Sequence, residues 1–174
     1  MQWNSFDELF EHLNNTCNYL VLRNYENYKE DDWLKDHGDV DLLCDDIEHL
    51  YEEARAFSNP HDHVHASVDI AGSSKRIDIR YIGDNYYDSK WEQSMLLNRK
   101  MGPYGFYVLD MEDYYYSLCY HEVYHKKELR DDYIVKLSSI ADDLGISFSP
   151  ETVKAQLDSY MTDKGYIETG YRSK

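Results

Sequence analysis

Cysteine is scarce in this chain: three occur among 174 residues, at positions 17, 44 and 119. They are widely spaced, odd in number and form no Cys-x-x-Cys pair, which excludes a disulfide framework and suits a reducing compartment. Cations are scarce too, with 18 Lys and Arg against 34 Asp and Glu, a formal net charge of −16. Nucleic-acid affinity rests largely on cationic contacts to phosphate, so neither a nucleic acid nor an anionic membrane surface is an expected partner. Long apolar runs are missing. The longest near the start, Tyr19–Leu22, falls far short of the roughly 20 residues that span a bilayer. Asp7 and Glu8 stand where a signal peptide would carry its apolar stretch, so a cytoplasmic protein is expected.

What remains is a globular composition, 42% hydrophobic and 15% aromatic, which argues against wholesale disorder. The length suits one domain, or one domain with a small helical appendage, and needs no disulfide or structural metal to bury a core. Phe6, Leu9, Phe10 and Leu13 fall at helical spacing behind a Ser5/Glu8 capping box, predicting an opening helix. Tyr19–Leu22 reads as a buried strand, and the polar, aperiodic stretch 23–38 as a long loop of the kind that carries function. Asp39–Cys44 reads as a strand, followed by a helix with apolar positions Ile47, Leu50, Tyr51 and Ala54 and with Phe57 at its end.

Residues 64–70 and 76–82 are expected to form an antiparallel hairpin across a turn at 71–75. A helix is expected around Trp91, Met95 and Leu96, and a short strand at 105–109. Beyond it come a long helix from Asp110 to about Lys127, one ended by Gly145, and one opened by Ser149-Pro150-Glu151 and stopped by Gly165. Strands first and helices after make the class α+β: a small mixed sheet flanked by helices over 1–109, then a helical region over 110–174 packed on that core.

Chemistry concentrates in three acids. Asp39 and Asp41 alternate with Val40 and Leu42, so on a strand both carboxylates share one face. Two acids side by side on a strand are electrostatically costly, and a hard divalent cation, Mg²⁺ or Mn²⁺, offsets the repulsion. Asp78 alternates in the same way with Ile77 and Ile79. If the two strands are neighbours, three carboxylates converge, enough to hold two cations about 4 Å apart for in-line phosphoryl chemistry, with Asp78 as base toward an acceptor hydroxyl. Charge agrees: residues 1–62 carry a net −12, whereas 72–100, which hold Asp78 with Lys75, Arg76 and Arg80, carry +2. The bland alternative is that the two arginines simply pair with Asp78.

The segments YLVLRNYE (19–26), HGDVDLLCDD (37–46) and RIDIRYIGD (76–84) resemble the nucleotidyltransferase-fold superfamily, in its minimal polymerase-beta-like form. With GFYVLDMEDYYYSLCYHEVYHK (105–126), the chain resembles the nucleotidyltransferase-like proteins of surface-polysaccharide gene clusters. The likeness covers roughly residues 17–127. It implies a metal-dependent transfer of a nucleoside monophosphate from a triphosphate to a hydroxyl or phosphate acceptor, a small molecule or glycan precursor. Asp39, Asp41 and Asp78 would be the metal ligands and catalytic acids, and Arg23, Asn24, Gly38, Arg76 and Arg80 would bind substrate. The chain departs from the family where a Gly-Ser or Gly-Gly pair usually holds triphosphate; here the position reads Leu22-Arg23-Asn24. An inactive, nucleotidyltransferase-like binding module is therefore the alternative.

Two other patterns compete. His121-Glu122-Val123-Tyr124-His125 matches the HExxH pattern of zinc peptidases, two histidines one helical turn apart with a glutamate to activate water. No third ligand is marked out downstream. His61, His63 and His65 alternate, so on a strand they would share a face able to bind a transition metal; in a loop entering a strand they would not. Tyrosine is abundant, 18 against five Phe and three Trp. Tyr114, Tyr115, Tyr116, Tyr120 and Tyr124 circle their helix rather than line one side, which suggests burial between layers or a contact with a second copy.

Overall fold

Ser5 Oγ accepts from Glu8 N at 3.1 Å, and Glu8 Oε2 accepts from Asn4 N at 2.6 Å. This reciprocal cap starts α1 (Phe6–Thr16), whose spaced apolar residues bury Leu9, Phe10 and Leu13. The computed structural model describes residues 2–30, 33–34, 38–58 and 60–171. After α1 come β1 (Tyr19–Arg23), β2 (Asp39–Cys44), α2 (Ile47–Ala54), β3 (Phe57–Ser58), β4 (His65–Ile70) and β5 (Ser73–Tyr81). Then follow α3 (Ser89–Leu97), β6 (Lys100–Met101), β7 (Tyr107–Val108), α4 (Met111–Tyr120), α5 (Asp131–Leu144) and α6 (Val153–Lys164).

The seven strands form one mixed sheet in the order β3-β4-β5-β2-β1-β7-β6, and helices cover both of its faces. The class is α+β. One face packs on α1 and α2 through Tyr19, Val21, Val40, Leu42, Ile77 and Ile79. The other contributes Leu20, Leu22 and Leu43 to a core with α3–α6, built around Trp91, Tyr115, Leu118 and Tyr120. β1 lies between the layers, so all five of its residues are buried, as expected of a central strand covered on both sides.

Several boundaries differ from the sequence reading. The hairpin turn is only Ala71-Gly72, because Ser73–Lys75 continue the ladder opposite Val68–Ile70. Both turn residues take positive φ, +53° and +83°, the primed-turn geometry whose twist matches paired strands. Phe57 does not end α2. Arg55 closes that helix in the left-handed region, and Phe57 pairs with Ser67 as an exposed edge strand. Residues 149–152 form a turn (Ser149 O accepts from Thr152 N and Val153 N), so the last helix starts only at Val153. The long helix from Asp110 stays α-helical to Tyr120 and then widens into a π-helical segment, His121–Lys126.

Candidate functional site

Four strands bring one row of polar side chains to the helix-α4 face of the sheet. His65 on β4 stands opposite Asp78 on β5, Asp78 beside Asp41 on β2, and Asp41 opposite Arg23 on β1. Because β2 and β5 run parallel and in register, Asp39 and Asp41 lie beside Arg76 and Asp78, and strand alternation turns the acids to a common face. Arg23 reaches that face through an irregularity. Val21 pairs with Leu42 and Arg23 with Asp41, so β1 uses two residues where β2 uses one. This bulge re-aims the arginine away from the Tyr19/Val21 side.

Asp39, Asp41 and Asp78 each place one carboxylate oxygen within 4.8 Å of the others. They are the one group of three metal-capable side chains found among the described residues. Asp78 Oδ1 is buried and accepts no hydrogen bond. Burial, followed by the hydrogen bond and charge of Asp78, pushes the Asp39 carboxyl up to about 7, against the lowering influence of Arg76 and Arg23. Two carboxyl groups this close need a proton or a cation between them. An oxygen-only donor set of this kind fits a hard divalent cation.

The triad opens into a cleft of about 800 Å³ lined also by Asn24, His61, His65, Arg80, Tyr86 and Tyr133. Arg23, 5% exposed, donates to Tyr86 Oη at 3.0 Å and Tyr87 Oη at 3.1 Å and lies 3.9 Å from Asp41. Arg80 donates to Tyr171 Oη at 3.0 Å, stacks 3.9 Å above the Tyr86 ring and sits 3.9 Å from Asp84. No ion pair joins Arg76 or Arg80 to Asp78 among the described residues. Asn24, at φ +62° and accepting from Trp33 Nε1 at 2.9 Å, forms part of the lining. Arg76 is exposed beside Asp39, and neither it nor Gly38 lines the cleft; His37 lies outside the described residues.

The rival patterns are arranged otherwise. Glu122 is fully buried and held by Arg130, with Nε to Oε1 at 3.0 Å and Nη2 to Oε2 at 2.6 Å. It is committed to this pair rather than aimed at a water. His121 and His125 face each other through their Nδ1 atoms at 3.2 Å, and His125 Nε2 meets the Tyr86 carbonyl at 2.7 Å. Burial pushes His125 down to about 3 and His121 well below the usual imidazole range. Both rings are therefore neutral at pH 7. A neutral His125 donating from Nε2 leaves its Nδ1 as an acceptor, and Arg23 Nη1 lies 3.3 Å from His121 Nδ1.

β4 begins only at His65. Asp62 Oδ1 accepts from the main-chain N–H groups of Val64 and His65, so His61 and His63 lie in a turn rather than on a shared strand face.

The helical half adds cleft residues that the sequence did not mark, Lys126, Arg130, Tyr133 and Tyr171, and also His121, which the sequence marked only as part of the zinc-peptidase pattern. Tyr171 arrives on a returning tail anchored by Ile167 N to Asp88 and by Thr169 Oγ1 to the Asn85 carbonyl. The sequence signal for this was weak, a glycine on either side of the tail at 165 and 170. Among the described residues no helix is long and apolar enough to cross a membrane. No protein-family model, curated protein or solved structure matches the chain.

Proposed function

We propose that the protein is a divalent-metal-dependent nucleotidyltransferase that moves a nucleoside monophosphate from a triphosphate to a hydroxyl or phosphate acceptor, a small molecule or glycan precursor. The convergence of Asp39, Asp41 and Asp78 from two parallel neighbouring strands, with a buried Asp78 oxygen left without a donor, carries this reading. The resemblance of the segments around positions 19–26, 37–46 and 76–84 supports it.

The three carboxylates would hold Mg²⁺ or Mn²⁺, which when bound supplies charge neutralisation on the phosphates. Asp78 accepts the proton of the acceptor hydroxyl as its oxygen attacks the α-phosphorus. The new P–O bond forms as the bond to the β-phosphate oxygen breaks, and pyrophosphate leaves. Arg23 and Arg80, held by the phenols of Tyr86, Tyr87 and Tyr171, offset the negative charge that builds up on the transferring group.

One observation favours a non-catalytic nucleotide-binding module instead: the usual glycine pair is replaced by Leu22-Arg23-Asn24, with Arg23 already engaged. Incubation of the chain with each α-³²P-labelled nucleoside triphosphate, Mg²⁺ and a panel of sugar and sugar-phosphate acceptors separates the two. Transfer of label to an acceptor, with release of unlabelled pyrophosphate, that Asp41→Asn abolishes supports transfer. Tight nucleotide binding without any release supports the module.

A further inference from the structure

The cleft carries side chains of both charges. Its acids (Asp39, Asp41, Asp62, Asp78 and Asp84) come from the sheet and its connections. Two of its cations, Lys126 and Arg130, come from the end of the α4 run and the start of α5. Arg23 and Arg80 already donate to tyrosine hydroxyls. Lys126 forms no ion pair with any described acid and is exposed. Arg130 uses Nε and Nη2 on Glu122, while its Nη1 donates to no described residue. In a chain of net charge −16, two cations with donors to spare in the same cleft as the acid triad form a place for an anion.

The π-helical segment explains why Lys126 faces the cleft. At 3.6 residues per turn, positions 121 and 126 would stand about 140° apart around the helix. A turn that closes from i to i+5 brings them into one sector, and both His121 and Lys126 line the cleft. Lys127 then ends the segment in the left-handed conformation at φ +55°. Arg130 is fixed from below: Glu122, in the same π segment, accepts from its side chain and from its main-chain N–H at 3.2 Å.

We infer that Lys126 and Arg130 bind the polyphosphate tail of the nucleotide, taking over the phosphate-holding role of the glycine pair that this chain lacks. The inference rests on the proposed nucleotidyl transfer and assigns the substrate's phosphates to the side of the cleft built by the end of the α4 run and the start of α5. A tripolyphosphate anion suits this arrangement better than a monophosphate, because its several charged groups can meet the cations and a carboxylate-bound cation together.

Sodium tripolyphosphate is titrated calorimetrically into the full chain, with and without Mg²⁺, against inorganic phosphate as the short-anion control. Lys126→Ala should bind tripolyphosphate about tenfold more weakly than wild type, with Lys127→Ala, one position beyond the π turn, within twofold. The loss should persist in the Asp41→Asn background, because the lysine contact does not pass through the carboxylates. Equal affinity of Lys126→Ala and wild type, no tripolyphosphate binding by wild type, or equal affinity for phosphate and tripolyphosphate each overturns the inference. An Asp41→Asn protein that still releases pyrophosphate defeats the transfer reading instead, and the Lys126 comparison still decides this one.

Discussion

Arg23 lies 3.9 Å from Asp41 on the face of the sheet opposite to the one its strand position would give it. The extra residue in β1 makes this possible. In an unbroken strand, Arg23 would follow Tyr19 and Val21 into the α1/α2 core, where a guanidinium has no partners. Two tyrosine hydroxyls instead fix both ends of its fork. Arg23→Lys keeps the charge and loses the planar two-point hold. Pyrophosphate release should fall about 10- to 100-fold in kcat/KM, with Mg²⁺ affinity within about twofold of wild type; parallel steady-state kinetics and metal titration check both.

The carboxylate triad predicts a metal-linked stability. Binding to the folded chain alone adds about 1.4 kcal/mol at ten times the dissociation constant. Thermal unfolding of wild type should therefore move to higher temperature as Mg²⁺ or Mn²⁺ is added. Asp39→Asn and Asp41→Asn should not respond, and in metal-free buffer neither should be less stable than wild type, since each removes a crowded acid. A variant whose melting curve still shifts with metal would place the cation elsewhere.

Glu92 gives a pH signature. It is fully buried, accepts from Gly83 N at 3.2 Å, and is pushed up to about 10 by burial first and by Asp84 second. The folded chain keeps a proton that the unfolded chain releases near pH 4.5. Its contribution is thus whole below that pH and drains away as pH rises toward the folded value. Glu92→Gln retains the shape without the titration. Urea unfolding should find the variant more stable than wild type by about 1–3 kcal/mol at pH 8, with little difference at pH 5.

The Glu122–Arg130 pair is asymmetric: the glutamate is fully buried and the arginine side chain 37% exposed. Arg130→Ala strands a buried carboxylate and should cost about 2–4 kcal/mol in chemical denaturation. Adding Glu122→Leu to it should recover part of that loss. In the same preparations, zinc content measured by atomic emission should be negligible and indifferent to His125→Ala, since Glu122 is committed to Arg130 and the two histidines to each other and to the Tyr86 carbonyl.

Much of this was legible in the chain. Alternation alone put Asp39, Asp41 and Asp78 on strand faces, and the caps at Ser5, Asp46 and Asp110 and the stops at Gly145 and Gly165 fall where short polar residues and glycine belong. The rest depended on packing. Ser73 and Ser74 look like turn residues and yet lie in a strand, because an exposed ladder position tolerates serine. The bulge before Arg23 and the π turn before Lys127 each change the direction of a side chain by one residue of chain, which no periodicity reveals in advance. Arg76 alternates with Asp78 as faithfully as Arg80 does, but the tail and helices close over only the latter.

The returning tail has a practical consequence for anyone labelling this protein. Trp3 bridges Ile70 at the end of β4 remote from His65, whereas Tyr171 lies in the cleft beside Arg80. A bulky label attached at position 171 itself would stand in the cleft beside Arg80 and obstruct whatever enters. The same label at the exposed Gln2, next to Trp3, would leave the cleft clear.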